Sequence, residues 1–281
     1  MVKLFRRKPA RSEPTDTLGY LSRFYSTRCD EDKRLTTRHG QVEYLTTMRY
    51  IERYLQPGMK VLEIGAATGR YSLTLARMGY DVTAIELVQH NIDIFNAKLK
   101  PGDKIDLQQG DALDLSRLAD ISFDMTLLLG PMYHLFAKED QTRALEEALR
   151  ATKPGGLVFV AYVISEMAIL TSGIGTKRYF WDYLEDGHIL PGTYECFAQP
   201  GNLFHPCRRE DIEALTAPLP CLRLHYVAVD GTAQLNKNAL AKMTPEQFSI
   251  FMDYHYFLCE RPDVAGMTSH SLDILRKDDG G

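Results

Sequence analysis

The stretch Val61-Leu-Glu-Ile-Gly-Ala-Ala-Thr-Gly69 constrains this chain more than any other. A short apolar run ends in a glycine turn, and the spacing of residues 70–78 predicts an amphipathic helix directly after it. A strand–turn–helix of this kind brings backbone amides up to a nucleotide-like ligand, and the glycines admit the ligand without a Cβ clash. A second apolar strand, Asp81-Val-Thr-Ala-Ile85, ends in Glu86. That is about 20 residues past the turn, where a ribose-binding carboxylate is expected. The glycine spacing disfavours a nicotinamide dinucleotide, whose fingerprint would put glycines where Ala67 and Arg70 stand.

Further along, residues 60–64, 82–85, 105–108, 125–129 and 157–162 read as buried strands. Helices are predicted over 70–78, 89–99 and 138–151, with a short one near Leu115. Strands alternating with helices imply an α/β fold, a doubly wound sheet with helices on both faces. Upstream, residues 18–55 carry helical spacing until Gln56-Pro-Gly58 breaks it. Beyond Val163 the pattern changes. Residues 166–201 are rich in glycine and aromatics, among them Tyr179, Phe180, Trp181, Tyr183, Tyr194 and Phe197, and read as a lid over the sheet's C-terminal edge. A helix over 208–215, a strand over 222–229, a helix over 245–259 and a strand around 270–275 follow. The expected layout is a flexible basic tail, 1–17, and a single domain, 18–281. Within it lie a helical cap (18–56), a cofactor-binding core (57–163), a lid insertion (164–206) and C-terminal strands and helices (207–281).

Composition limits the partners. Hydrophobic residues are 44% of 281, enough for a sizeable core, and the formal charge of −4 argues against a broad phosphate-binding face. Lys3, Arg6, Arg7, Lys8 and Arg11 form a basic N-terminus, read first as a solvated tail and second as a nucleic-acid contact. The five cysteines are scattered with no Cys-x-x-Cys pair, so no disulfide framework or zinc site is indicated. No other ligand spacing suggests a metal. With no signal-peptide core and no stretch long enough to span a membrane, a cytoplasmic location is expected.

Glu63-Ile-Gly65-Ala-Ala-Thr-Gly69 resembles motif I of class I S-adenosylmethionine-dependent methyltransferases, (Asp/Glu)-x-Gly-x-Gly-x-Gly, with Ala67 replacing the central glycine. Gln109-Gly110-Asp111-Ala112 is similar to that family's adenine-binding turn. Phe123-Asp-Met-Thr-Leu-Leu-Leu-Gly-Pro-Met-Tyr-His134 is similar to its fourth strand and catalytic-face loop, and Lys153-Pro-Gly-Gly156 to the turn into its fifth strand. The resemblance implies a Rossmann-like, seven-stranded, mostly parallel sheet with a last strand antiparallel beside the fifth. It implies S-adenosylmethionine as cofactor, with Glu86 taking two hydrogen bonds from the ribose diol and Asp111 and Ala112 on the adenine. Glu63 would order the turn through backbone amides, and Gly65, Ala67, Gly69, Leu87 and Leu129 would complete the contacts. Arg34-Leu-Thr-Thr-Arg-His-Gly-Gln-Val-Glu43, the Leu-Gly-Pro-x-Tyr-His-Leu loop and Ser269-His-Ser-Leu-Asp-Ile-Leu-Arg-Lys277 also resemble an uncharacterised bacterial group of these enzymes, which brings no substrate with it.

Methyl transfer from a sulfonium is a direct displacement, so the protein's main task is to hold the acceptor in line and dry. A base matters only where the attacking atom must lose a proton. His134, Tyr133 and His39 are the candidates on the acceptor side, and Trp181 with Tyr254-His-Tyr-Phe257 is a candidate aromatic wall. Gly130 stands where amine methyltransferases of DNA, RNA and protein keep a polar residue, which counts against adenine or glutamine acceptors. The expectation is methylation of oxygen or nitrogen on a small molecule by a monomer or homodimer. An RNA methyltransferase using the basic arm, a non-catalytic S-adenosylmethionine-binding protein and a nicotinamide-dependent oxidoreductase are the alternatives.

Overall fold

Along the strand Thr152–Ile164, Leu157, Phe159 and Ala161 enter one buried cluster, and Val158, Val160 and Tyr162 enter another. This two-residue alternation with both sides apolar marks a strand covered on both faces. The computed structural model describes residues 17–174, 180–196 and 203–279. Its strands are β1 Lys60–Ile64, β2 Asp81–Glu86, β3 Ile105–Gln109, β4 Phe123–Leu128, β5 Thr152–Ile164, β6 Pro206–Cys207, β7 Cys221–Ala228 and β8 His270–Lys277. The sheet order is β3-β2-β1-β4-β5-β8-β7, with the two-residue β6 pairing beside the end of β5. All pairings are parallel except those of β8, which runs antiparallel to β5 and β7. The expected seven-stranded order is thus present, with β6 as an eighth strand. Its direction reverses at β1 and β4, so the chain leaves those two strands to opposite sides and a crevice opens at their carboxyl ends.

Three helices, α1 Thr17–Thr27, α2 Glu31–Arg34 and α3 Arg38–Tyr54, precede β1. Crossovers α4 Arg70–Arg77, α5 Gln89–Lys98 and α6 Lys138–Ala151 join the parallel strands. On α6, Ala144, Leu145, Ala148 and Leu149 recur at helical spacing and are buried against the sheet. After β5 come α7 Ser165–Ala168, a wider π-helical turn Ile169–Ile174 and α8 Phe180–Glu185. Then follow α9 Arg209–Thr216, α10 Lys237–Leu240 and α11 Pro245–Leu258. No described helix is long and apolar enough to cross a membrane.

Residues 18–55 form separate helices because Asp30 accepts from the Lys33 amide and Thr37 from the Gly40 amide, each capping a new start. Two elements depart from expectation. No helix forms near Leu115. Asp111 and Asp114 instead accept from the amides of Leu113 and Ser116, closing turns that compete with helix. The Lys153-Pro-Gly-Gly segment is a bulge inside β5, whose register jumps from Phe123–Thr152 to Met125–Leu157. Residues 1–16, including the basic cluster, and the lid aromatics Tyr179 and Phe197 lie outside the described residues.

Candidate active site

Backbone conformation shapes the turn after β1. Gly65 has a φ of +80°, and a Cβ there would sit 2.6 Å from Pro131 Cδ. Only glycine lets this turn touch the loop after β4. Ala67 also adopts a positive φ, 47°, which costs a residue with a side chain roughly 1–2 kcal/mol. Its amide donates to Glu86 Oε2 at 2.7 Å, which holds the turn in place. Gly69 does not line the cavity described below. It caps α4, and a Cβ there would meet the Phe95 ring at 2.5 Å, so it supports the turn by letting α5 pack beneath it.

Glu86, the last residue of β2, is buried and also accepts from the Val88 amide at 2.9 Å and Asn91 Nδ2 at 3.1 Å. With three donors on a carboxylate of roughly four acceptor sites, one site remains for a ribose hydroxyl, not the two expected. Glu63 is anchored differently from expectation. The Ser72 hydroxyl of α4 donates to it, in place of turn amides. Burial, reinforced by the Glu86 charge, pushes its carboxyl up to about 8. Asp111 spends Oδ1 on the Leu113 amide at 3.0 Å, beside the buried Ala112. Asp32 of α2 accepts from the Thr68 hydroxyl at 2.6 Å and pairs with Lys98, so the N-terminal helices clamp this turn.

Glu63, Gly65, Ala67, Glu86, Leu87, Asp111, Ala112, Leu129, Tyr133 and His134 all line one cavity of about 880 Å³, closed on one side by Leu18, Leu21 and Tyr25 of α1. His134 is doubly engaged there. Its Nδ1 faces the Leu203 carbonyl at 2.8 Å and must donate to it, so in the neutral ring Nε2 accepts from the Tyr25 hydroxyl at 2.8 Å. Burial lowers its pKa and keeps the ring neutral. Tyr133 is buried, its ring 5.6 Å from that of His270.

A second cavity of about 470 Å³ adjoins the first, and Arg34, Glu43, Phe204 and His270 line both. His39 stands in the second cavity, with its pKa lowered by burial and by Lys237. Ile169, Thr171, Tyr183 and Ile189 from the expected lid wall the same space. The shared wall is a charge network. Arg34 pairs with Glu43 at 2.7 Å and Glu31 at 3.1 Å. His270 Nδ1 lies 3.0 Å from Asp230 Oδ2 and 3.5 Å from Glu43 Oε2. Asp230 Oδ1 accepts from the Thr268 hydroxyl at 2.6 Å and the amides of Ser269 and His270 at 2.8 and 3.0 Å. Burial alone would lower the His270 pKa, but the Glu43 and Asp230 charges outweigh it and hold it above the usual value.

The sequence places Arg34 and Glu43 in an N-terminal segment suited to contact an acceptor and His270 in the Ser269–Lys277 stretch, without an individual role for any of them, and does not single out Asp230. Asp230 carried a usable signal: it ends the apolar run Tyr226-Val-Ala-Val229, as Glu86 ends β2. Glu43, Asp230 and His270 offer ligand atoms within 4.8 Å of one another, a grouping invisible in linear spacing. Arg34 pairs with one of these carboxylates, and the His270 ring faces the other through Nδ1. The expected aromatic wall is not formed by α11. Tyr254 and Phe257 are 60% and 66% exposed and line neither cavity. Trp181 is also exposed.

Residues 62–160 match the family profile described as a methyltransferase domain. The ubiquinone biosynthesis O-methyltransferase of Xanthomonas axonopodis pv. citri is 27% identical over 161 residues, 56% of this chain and 64% of that protein. The demethylmenaquinone methyltransferase of Renibacterium salmoninarum is 35% identical over 105 residues, 37% of this chain and 41% of that protein. The chain therefore spans less than two thirds of the length of either relative. A crystal structure of a S-adenosylmethionine-dependent methyltransferase from Methanosarcina mazei shares the fold, with a TM-score of 0.54 at 20% identity over 82% of this chain and 97% of that one. The cavity fits that cofactor, offering an open acceptor site on Glu86, a close-approach turn and a second carboxylate at Asp111. Residues 62–160 thus match a methyltransferase domain, and the sheet has the fold of a solved S-adenosylmethionine-dependent methyltransferase.

Proposed function

We propose that the protein transfers a methyl group from S-adenosylmethionine to oxygen or nitrogen of a small acceptor by direct displacement. The observation that carries this reading is the pair of adjoining cavities: one holds the turn after β1, and the other is a space of about 470 Å³, of a size suited to a small molecule. Bound S-adenosylmethionine supplies an already activated methyl group on a sulfonium. The chain's residues bind and orient. Glu86 holds a ribose hydroxyl, Asp111 and Ala112 meet the adenine, and Leu87 and Leu129 flank it. Tyr133 walls the junction of the two cavities. His134 fixes α1 across the opening through Tyr25, and His39 faces the acceptor space. Two similar proteins carry quinone-biosynthesis names, which favours a ring-bearing acceptor over RNA. Membership of the uncharacterised bacterial group with the Leu-Gly-Pro-x-Tyr-His-Leu loop is part of this reading.

Calorimetric titration with S-adenosylmethionine, S-adenosylhomocysteine and NADH tests it. Micromolar binding of both sulfur nucleotides and none of NADH is expected. Glu86→Ala removes a hydrogen bond to a charged group and its supporting contacts, about 2 kcal/mol, or a roughly 30-fold loss of affinity. Folded protein that binds neither sulfur nucleotide would overturn the reading.

A further inference from the structure

His270 has one nitrogen committed and one free. Nδ1 is held by Asp230 at 3.0 Å, with Glu43 at 3.5 Å, while no described residue hydrogen-bonds Nε2. The side chain is 22% exposed, and the residue lines both cavities, so its open edge faces the space between them. We propose that the smaller cavity is the acceptor site, that it takes an acceptor with an acidic hydroxyl, a phenol or enol, and that His270, oriented by Asp230, takes that hydroxyl's proton. This rests on the methyltransferase reading and names its substrate class.

The chemistry follows from what a base is for. A neutral amine attacks with a lone pair it already has, and a carboxylate has lost its proton beforehand, so neither needs a base. An aliphatic alcohol is too weak an acid for an imidazole. A phenol, with a pKa near 10, lies within reach of a histidine held above 6.5. Asp230 is built for orientation. Three donors from consecutive residues pin its Oδ1, so Oδ2 cannot swing away from Nδ1. In the neutral ring Nδ1 carries the proton, leaving the Nε2 lone pair toward the cavity. Arg34 stands on the same wall, where its cation would favour a developing phenolate. Val163, Ile169, Ile189 and Phe204 give the ring apolar contact. The cofactor's side is adjacent, since His270 packs near Tyr133 and that loop touches Gly65 through Pro131.

The step balances. The hydroxyl proton moves to His270 Nε2, the oxygen forms its bond to the methyl carbon, and the carbon–sulfur bond breaks with its electron pair kept by sulfur. A neutral thioether and an imidazolium replace the sulfonium and the neutral imidazole. The charged and titratable groups facing His270 are Asp230 after β7, Glu43 on α3, Arg34 with its partner Glu31 on α2, Tyr133 after β4 and His39 across the smaller cavity.

The test titrates 4-nitrophenol into protein saturated with S-adenosylhomocysteine, at a pH where the free phenol is mostly uncharged. The expected result is binding with the visible phenolate band. In His270→Gln the affinity should fall at least tenfold and the band should vanish, with S-adenosylhomocysteine affinity unchanged. Asp230→Asn should keep binding but lower the pKa of His270, followed by nitrogen NMR of labelled histidine. The same NMR on wild-type protein, which requires no variant to fold, should show Nε2 of His270 gaining a proton when phenol binds at about pH 8.5, where a phenol of pKa near 10 is still uncharged in solution. No binding at millimolar 4-nitrophenol, binding of the uncharged form, or equal binding by His270→Gln overturns the proposal. So does a band that needs added magnesium and is lost to a chelator. Failure of S-adenosylhomocysteine itself to bind brings down the methyltransferase reading at an earlier step, and is seen separately.

Discussion

Gly65, Ala67, Glu86 and Asp111 lie at the ends of consecutive parallel strands, all within residues 62–160. Arg34, Glu43, Asp230 and His270 come from α2, α3, the loop after β7 and the start of β8, all outside that span. The first set works mainly through backbone shape: positive φ, close approach, an amide aimed at a carboxylate. The second works through side-chain charge, and it exists only because the antiparallel β8 returns His270 beside α3. Local backbone geometry is specified by a short motif. A charge network drawn from the helices before β1 and from two segments near the C-terminal strands is specified by topology. The family profile matches only the first region, which fits this division, because a wall of side chains can change without disturbing the sheet beneath it.

The sharpest way to break the comparison is Gly65→Val, which should damage both regions through a purely local change. The new side chain meets Pro131 Cδ, 2.6 Å from the first added carbon, at a φ of +80°. Positive-φ strain and overpacking together predict about 3 kcal/mol of lost stability. S-adenosylhomocysteine affinity should fall beyond calorimetric reach. Near-normal affinity with an unshifted melting temperature would show that the turn and the loop after β4 are not in contact.

Glu63→Gln gives the next largest effect, in the pH dependence of stability. In the fold the Glu63 carboxyl sits at about 8 against 4.5 for the free group, so the folded chain holds a proton that the unfolded chain releases between those values. The stability it contributes is complete below pH 4.5 and is lost as pH rises toward 8. The neutral amide keeps an acceptor for Ser72 without that loss. Melting curves of the variant should therefore be flatter across this window and higher than wild type at its alkaline end. Parallel curves for the two proteins would mean that Glu63 is ionised in the fold.

Sequence patterning reached the sheet almost strand for strand, because apolar runs bounded by glycine or acid are local signals. It missed where side chains compete with the backbone. Asp111 and Asp114 take the amides that a helix near Leu115 would need, and the proline and two glycines after Lys153 stay within β5 as a bulge. For the site, the cradle residues were legible as a motif, apart from Gly69, which faces Phe95. His134 was singled out as a base from its place after β4. Only the fold shows that Tyr25, 109 residues away in sequence, occupies its Nε2. His270 could not be preferred over seven other histidines until its carboxylate partners were in place.

Tyr25→Phe sharpens the comparison on the acceptor side. It leaves His134 Nε2 without its donor, at a cost of about 1–2 kcal/mol for a buried unpaired acceptor. The His134 pKa is depressed in the fold, so the stability it contributes is present at neutral pH and lost as pH falls below 6.5. The variant should melt lower and release α1 from the cavity mouth, measurable as faster amide exchange over Thr17–Thr27 with S-adenosylhomocysteine affinity reduced only a fewfold. Unchanged exchange would mean that Leu21 and its apolar neighbours alone hold the helix.

The smallest effect is expected at the position where the motif departs from its family. Ala67 keeps the left-handed conformation of the missing glycine at a cost of roughly 1–2 kcal/mol. Ala67→Gly removes that strain, but the glycine loses more backbone freedom on folding, about 0.5–1 kcal/mol. The two partly offset, leaving a net gain of about 0–1.5 kcal/mol. The amide that reaches Glu86 at 2.7 Å is retained in either residue. Chemical denaturation should therefore show a slightly raised midpoint, and calorimetry an affinity within about threefold of wild type, equivalent to less than 1 kcal/mol. A large gain in affinity would mean that the alanine methyl obstructs the ligand. A clear loss of stability would mean that the methyl packs favourably enough to outweigh its strained backbone, and that the cradle, too, depends on a side chain.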